Sequence, residues 1–335
     1  MEKSLLNKSD PRFDSHLRPK SLSQFIGHEK VKKQLNILIA AAKGRGEPLG
    51  HILFHGPPGL GKTTLANILA EEMGSRLFLT SGPAIDKAGD LAGLLTNLEK
   101  DNLFFIDEIH RLSRNVEEYL YPAMENFCLD LMIDSGAHAR SVQVELKPFT
   151  LIGATTRSGL LSSPLRSRFV NVVRLEYYTV DALAEIVTRS ATILGCEIDK
   201  KGAEEIASRS RGTPRMANNL LRWVRDIAQL HNANKIVGTL VEEACQMIGI
   251  DKVGLNDMDK KILELLIDMH DGGPVGLKSI AASIGEEETT LAEVYEPYLI
   301  SQGYLKRTPR GRAATKYAYE HLGYALKSQE ASKKD

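Results

Sequence analysis

The sequence predicts an α/β protein: a doubly wound parallel sheet, then a helical section, then a winged helix-turn-helix. Three observations lead there. First, five short β-type runs alternate mostly with helical or loop stretches: Ile52–His55, Leu77–Thr80, Leu103–Ile106, Phe149–Ala154 and Asn171–Leu175. Near-continuous apolar strands of this kind belong to parallel sheets buried on both faces. Second, a glycine-rich loop, Gly56-Pro57-Pro58-Gly59-Leu60-Gly61-Lys62-Thr63-Thr64, stands between the first run and a helix over Thr63–Met73. Third, the pattern turns helical from Leu175 to about Gly249, and the last section reads as three short helices followed by a hairpin.

Composition sets the outer bounds. A chain of 335 residues exceeds what one core usually serves, so two or three domains are expected. Lys+Arg and Asp+Glu both total 43, which excludes a uniformly basic coat and leaves polyanion binding to a local patch. Cys128, Cys196 and Cys245 are too scattered for a zinc knuckle or a redox pair and suit a reducing cytosol. No stretch approaches the roughly 18 apolar residues of a membrane span. The first twenty residues carry Glu2, Asp10 and Asp14 and show no signal peptide. The expectation is a soluble, cytoplasmic protein with no membrane role.

Taken in order, residues 1–20 read as an irregular arm ending in Leu17-Arg18-Pro19-Lys20. Val31, Leu35, Leu38, Ile39 and Ala42 form one helical stripe, closed by Gly44 and Gly46. One interruption breaks the strand–helix alternation. Leu129–Ile133, Asp134-Ser135-Gly136-Ala137, then Val142, Val144 and Leu146 at period two read as an inserted hairpin, either a surface flap or a docking arm. Trp223 fits the core of a small helical bundle, and Asp251–Gly254 reads as a linker. Met258, Ile262, Leu265 and Leu266 open the final section, with helices near Leu277–Ile284 and Thr289–Ser301 and a hairpin around Thr308-Pro309-Arg310-Gly311. The domains drawn from this are 1–178, 179–250 and 251–335.

The chemistry concentrates on the glycine-rich loop, which matches G-x-x-x-x-G-K-[ST] in its required strand–loop–helix setting. Gly59, Gly61 and their neighbours let backbone N–H groups turn towards phosphate oxygens, and the helix start adds a favourable dipole. Lys62 supplies a cation to the β- and γ-phosphates, and Thr63 offers a hydroxyl to magnesium. Further on, Asn102-Leu103-Phe104-Phe105-Ile106-Asp107-Glu108 is an apolar strand ending in two carboxylates. Alone, such a pair is more often a helix cap. Beside a phosphate loop it reads as metal-assisted hydrolysis of a nucleoside triphosphate, Asp107 holding Mg²⁺ and Glu108 polarising water. His51, His55 and His138 show no ligand spacing.

These motifs resemble the AAA+ ATPases, as does the polar-tipped strand Thr150–Thr156. Ser163-Pro164-Leu165-Arg166-Ser167-Arg168-Phe169 resembles an arginine-finger segment, and Arg211-Gly212-Thr213-Pro214-Arg215 a second sensor. The alternative for either arginine, Arg168 or Arg215, is a buried structural salt bridge. From about residue 15 to 320 the chain is similar to the RuvB family of Holliday-junction branch-migration motors. The matching stretches include Leu17–Lys20, Gly56–Ala66, Asp107–Leu112, Tyr121–Glu125, Gly153–Arg157, Glu296–Ile300 and Arg307–Arg312.

The resemblance implies an AAA+ large domain, a small helical lid and a C-terminal winged helix, with ATP and Mg²⁺ as cofactors. It places Leu17, Arg18 and Tyr178 at the adenosine end and Gly59, Lys62, Thr63 and Thr64 at the phosphates. Glu125, Asn126 and Phe127 fall on a further nucleotide-contacting stretch whose middle position is acidic in the family. Arg168 falls where a finger acts in trans, and Arg215 where a sensor acts in cis. The implied assembly is a homohexamer on duplex and four-way junction DNA. A RuvA-type partner would dock on hairpin 129–146, and a RuvC-type resolvase is a further partner.

Residues 255–335 carry 11 basic and 13 acidic side chains, which argues against a broad DNA footprint. Yet Lys306, Arg307, Arg310, Arg312 and Lys316 lie in one stretch without an acid, read either as a solvated turn or as a phosphate-contacting wing. The resemblance favours the wing, with Arg307 and Arg312 the matching DNA contacts. A clamp- or helicase-loading switch shares the same ATP site. A protein unfoldase would want an aromatic pore loop that Gly82–Gly89 lacks, and a tandem-core helicase would want a second such domain.

Overall fold

The computed structural model describes residues 10–132 and 141–325. They divide into two compact units: residues up to Gly195 together with Gly212–Asn219, and Cys196–Arg211 together with Leu220 onward.

The first unit is built on a five-stranded parallel sheet of order β2-β3-β6-β1-β7, from β1 (Ile52–His55), β2 (Leu77–Ser81), β3 (Leu103–Asp107), β6 (Thr150–Thr155) and β7 (Asn171–Arg174). Its central strands are buried on both faces. Ile52, Phe54, Phe105 and Ile152 point into one apolar core with α2 (Glu29–Arg45) and α3 (Lys62–Met73). Leu53, Phe104, Ile106 and Leu151 point into another with α4 (Ala88–Thr96) and α5 (Arg114–Asn126). This two-sided burial is why the strands read as unbroken apolar runs. Loops leaving β1, β3 and β6 therefore emerge at one edge, where ligands of open α/β sheets bind.

The arm expected to be irregular contains a helix, α1 (Pro11–Leu17). Asp10 Oδ1 accepts from the N–H groups of Arg12 and Phe13 at 3.2 and 3.3 Å. An Asp cap followed by Pro in the first turn was the available signal.

The inserted hairpin forms its own sheet, β4 (Cys128–Met132) antiparallel to β5 (Ser141–Glu145), with Cys128 opposite Glu145 and Leu131 opposite Val142. Its expected turn at Asp134–Ala137 lies outside the described residues. At its root Leu146 N–H donates to Phe127 O at 2.7 Å. After α6 (Ser163–Ser167) and β7, helix α7 (Val180–Ile193) belongs to this unit.

The second unit opens with β8 (Glu197–Ile198) and α8 (Lys200–Ser208). It takes the C-terminal part of α9 (Pro214–Leu230), then β9 (Lys235–Ile236) and α10 (Gly238–Met247). The parallel β8–β9 pair was not expected, since two residues per strand give no period to read. Trp223 is half-buried and its Nε1–H donates to Ala244 O at 2.7 Å.

Asp251–Gly254, expected as a linker, is instead a closed turn. Asp251 Oδ1 accepts from Val253 and Leu255 N–H at 3.0 and 2.9 Å, and Arg211 Nε donates to Gly254 O at 2.9 Å. The Arg211 guanidinium reaches the fully buried Asp259 carboxylate and lies 4.9 Å from the Tyr298 ring centre. Burial pushes the Asp259 pKa up, opposed by the neighbouring Arg211 charge. A short polar run reads as a linker because these partners are distant in sequence.

The expected three helices and hairpin follow. Helices α11 (Asp257–His270) and α12 (Leu277–Ile284) lead to α13 (Glu288–Thr290), a π turn (Leu291–Tyr295) and α14 (Glu296–Ser301). Strands β10 (Leu305–Thr308) and β11 (Gly311–Ala314) make the wing, and α15 (Lys316–Leu322) closes the core with Leu263, Leu266, Leu299 and Ala318. Among the described residues no helix is long and apolar enough to cross a membrane.

Arg211→Met strands the Asp259 carboxylate inside the second unit and is expected to cost about 3–5 kcal/mol. A lowered urea midpoint would register this. The double variant Arg211→Met/Asp259→Leu should recover most of the loss, because no charge is then left buried without its partner.

Candidate functional site

Strand β1 delivers the chain to the loop, and α3 begins at Lys62 with Gly61 in the left-handed region (φ 99°) as its cap. Gly59 is also left-handed (φ 79°), and a Cβ there would lie 3.1 Å from Arg215 Cβ. A side chain at that position would be strained and would crowd the segment that carries Arg215. Lys62 is 8% exposed, and its ammonium donates to Gly56 O and Pro57 O, both at 2.8 Å. Burial lowers its pKa to about 8; Asp107 opposes the shift, Arg215 adds to it and Glu108 opposes it.

The acidic pair closes the same cleft. Asp107 ends β3 and takes the Glu108 N–H on Oδ1 at 2.9 Å. Glu108 adopts a left-handed backbone (φ 47°) that breaks off the strand, and its carboxylate pairs with Arg111 at 3.1 Å. The loop after β2 passes so near that a Cβ on Gly82 would sit 2.5 Å from Glu108 O, so glycine is required there. At the end of β6, the Thr155 hydroxyl is buried, accepts from Arg157 N–H and hydrogen-bonds His110 Nδ1, both at 2.9 Å. Thr156, one residue on, lines the cleft with Lys62, Asp107 and Glu108. Thr63 and Asp107 both line it as well, giving the hard hydroxyl and carboxylate oxygens that suit Mg²⁺.

Leu17, Arg18 and Tyr178 line the cleft too, with Ile186, Arg189 and Asn218 in addition. Arg189 donates to the carbonyls of Leu17 and, at 3.2 Å, Gln24, fastening the arm to α7. Burial lowers the pKa of that guanidinium. The Tyr178 hydroxyl donates to Leu60 O at 3.2 Å, and its ring meets His28 edge-on at 4.5 Å. Burial raises its pKa, so it stays a neutral donor. Arg189 and Asn218 had no signal in the sequence, since each is one polar residue of an amphipathic helix whose role depends on distant chain.

Four expected nucleotide contacts do not line this cleft. Arg168 is clasped elsewhere in the first unit: Nη2 lies 3.0 Å from Glu125 Oε1, Nη1 donates to Pro164 O at 2.7 Å, and the guanidinium stands 4.3 Å from the Tyr121 ring centre. Phe127 (φ 51°) turns its ring to Phe149 at 5.9 Å and His51 at 6.5 Å. Asn126, between them, is exposed on the last turn of α5. Glu125, Asn126, Phe127 and Arg168 are thus not among the residues that line the chain's own cleft, which agrees with a finger that acts on another copy rather than on its own.

His51 is structural. Its Nδ1 accepts from Leu151 N–H at 2.9 Å, so Nε2–H donates to Met124 O at 3.0 Å, and burial lowers its pKa. In the wing, Arg307 and Arg312 both pair with Glu296, while Arg310 is exposed at the hairpin turn.

Lys62 yields a pH prediction. Phosphate binding uses its charged form, and its pKa in the chain by itself is about 8. Nucleotide affinity is expected to fall by up to about tenfold per pH unit above that value, with proton uptake on binding. Calorimetry in buffers of differing ionisation enthalpy reads both, and a flat profile from pH 7 to 9 would contradict the assignment.

Comparison with known proteins matches the chain in three consecutive stretches. The Holliday junction DNA helicase RuvB P-loop domain matches residues 17–175, the RuvB AAA lid domain 178–251, and the RuvB C-terminal winged helix domain 252–323. The Holliday junction branch migration complex subunit RuvB of Protochlamydia amoebophila (strain UWE25) is 60% identical over 319 residues, covering 95% of this chain and 96% of its own. The subunit of the same name from Kosmotoga olearia is 58% identical over 309 residues, covering 92% and 90%. The structure of the Thermotoga maritima RuvB Holliday junction branch migration motor superposes with a TM-score of 0.85 at 52% identity, covering 93% of this chain and all of that one. With the phosphate loop, the acidic pair and the wing all inside matched stretches, this chain belongs to the RuvB family of AAA+ proteins.

Proposed function

We propose that this chain is an ATP-driven DNA translocase that moves the branch point of Holliday junctions in recombination and repair. Lys62 and the loop N–H groups bind the triphosphate, and Leu17, Arg18 and Tyr178 hold the adenosine end. Thr63 and Asp107 would hold Mg²⁺, which when bound offsets charge on the phosphates. Glu108 orients and polarises the attacking water, Thr156 faces the γ-phosphate, and Arg215 senses it within the same chain.

The observation that supports assembly is the position of Arg168. A loose phosphoryl transition state is accelerated by a guanidinium at the γ-phosphate. Arg168 is held by Glu125, Pro164 and Tyr121, outside the cleft of its own chain. We read this as a finger offered to a neighbouring copy in a homohexamer, with the stretch Glu125, Asn126 and Phe127 contributing to that nucleotide site. Functionally the chain falls into a large ATPase domain (1–178), a lid (179–250) and a DNA-binding head (251–335). Hairpin 129–146 is the docking arm for a RuvA-type junction-binding protein, a RuvC-type resolvase is a further partner, and the setting is the cytoplasm. The wing, with Arg307, Arg310 and Arg312, holds DNA through its phosphates, a sequence-indifferent contact that suits a motor.

The decisive assay is dissociation of a synthetic four-way junction with ATP and Mg²⁺, with and without the junction-binding partner. Sustained, DNA-stimulated turnover is expected, whereas one turnover per binding event would mark a loading switch. Arg168→Ala should bind nucleotide normally and lose hydrolysis by about a thousandfold. Mixing it with Lys62→Ala, itself unable to hydrolyse, should restore activity, because each variant supplies what the other lacks. Failure of the mixture would refute action in trans. Arg312→Ala should keep basal ATPase and lose DNA affinity, with the salt dependence of the remaining binding reduced by about one phosphate contact.

A further inference from the structure

The wing contains an arrangement that its sequence conceals. Arg307 on β10 and Arg312 on β11 are direct cross-strand partners, so both side chains leave the hairpin on the same face. Like charges placed opposite one another destabilise an antiparallel pair unless an anion lies between them. Glu296, the first residue of α14, is that anion. Its carboxylate is 3% exposed, while Arg307 and Arg312 are 59% and 23% exposed. Arg307 donates from Nε to Oε1 at 2.8 Å and from Nη2 to Oε2 at 2.9 Å. Arg312 does the same at 2.8 and 3.3 Å. One buried carboxylate thus takes two paired contacts.

We propose that Glu296 is a positioning residue that fixes Arg307 and Arg312 side by side as one rigid cradle for a single phosphate of the DNA backbone. This rests on the DNA-binding reading of the wing given above. The geometry points there in three ways. Glu296 takes the Nε–Nη2 edge of each guanidinium, so the Nη1 ends are directed away from it, and an end-on edge is itself a fork for phosphate oxygens. Two positive charges against one negative leave the cluster net cationic. The hairpin backbone is also held independently of Glu296, since Val275 and Arg312 exchange N–H···O bonds at 2.8 and 2.7 Å. The carboxylate's task is therefore side-chain orientation more than strand pairing. Burial alone would raise the Glu296 pKa, but hydrogen bonds from Arg307 and Arg312 outweigh it and keep the group ionised.

The proposal makes a prediction opposite in sign to charge counting. Glu296→Gln removes a negative charge from a DNA-binding surface, so electrostatics alone predicts tighter binding. Loss of positioning predicts weaker binding, by about tenfold, at unchanged basal ATPase in the absence of DNA. Fluorescence anisotropy with duplex DNA over a salt series reads affinity and slope, and thermal unfolding of the same sample confirms that the chain is folded. Glu296→Gln binding as well as or better than the parent would overturn the proposal. Arg307→Lys keeps the charge on a largely exposed side chain while losing the paired contact, which protects the test if Glu296→Gln does not fold. It is expected to weaken binding severalfold, and equal affinity would again overturn the proposal. Arg307→Ala and Arg312→Ala separate the two levels of argument. If neither weakens DNA binding, the wing reading itself fails and takes the cradle with it; if both do while Glu296→Gln binds normally, only the positioning role is lost.

Discussion

The constraint on which the first unit depends is burial of its central strands on both faces. Ile52 and Phe54 serve one core and Leu53 the other; Phe105 and the pair Phe104 and Ile106 divide likewise. Strands so enclosed run parallel and are joined by helices that cross back over the sheet. All their C-terminal ends then point the same way. The glycine loop, the acidic pair and Thr156 share a cleft because β1, β3 and β6 are adjacent in that sheet, although more than forty residues separate each from the next in sequence. Chemistry is assembled here by topology.

That principle also decides what could be read in advance. Strand positions, the phosphate loop, Asp107 and Glu108, the inserted hairpin and the wing each announce themselves locally, through a period, a glycine spacing or a charge at a strand end. What stayed hidden is non-local. Arg189 looks like any solvated helix residue until the Leu17 and Gln24 carbonyls come to it. Asp251–Gly254 looks like a linker until Arg211 reaches Gly254 O. The basic run in the wing contains no acid, and the acid that organises it arrives from a helix eleven residues before Arg307. Helix α1 was the exception, because its Asp-Pro cap was local and available.

Arginine carries much of the logic of both units, in three distinct settings. Arg211 is buried with Asp259 and serves packing. Arg168 is 20% exposed and held by a carboxylate, a carbonyl and an aromatic face, a poised arrangement that leaves it near the surface. Arg307 and Arg312 share one anion and keep a surplus of charge. The guanidinium suits all three because it stays charged and its planar edges can be occupied separately. Residue type alone would not separate these cases; the partner does.

The placement of His51 has a consequence for the hairpin. One imidazole ties the end of α5, through Met124 O, to β6, through Leu151 N–H, close to the point where Phe127 and Leu146 clasp the hairpin root. The ring manages this as a neutral tautomer alone, accepting with one nitrogen and donating with the other. A second proton would set two donors face to face at Leu151. Burial holds the ring's proton affinity below its ordinary value of 6.5, so as acidity increases past that point the unfolded chain gains a proton the folded one refuses. The root of the β4–β5 hairpin is thus mounted on an acid-labile pin, secure at neutrality and weakened in an acidified medium.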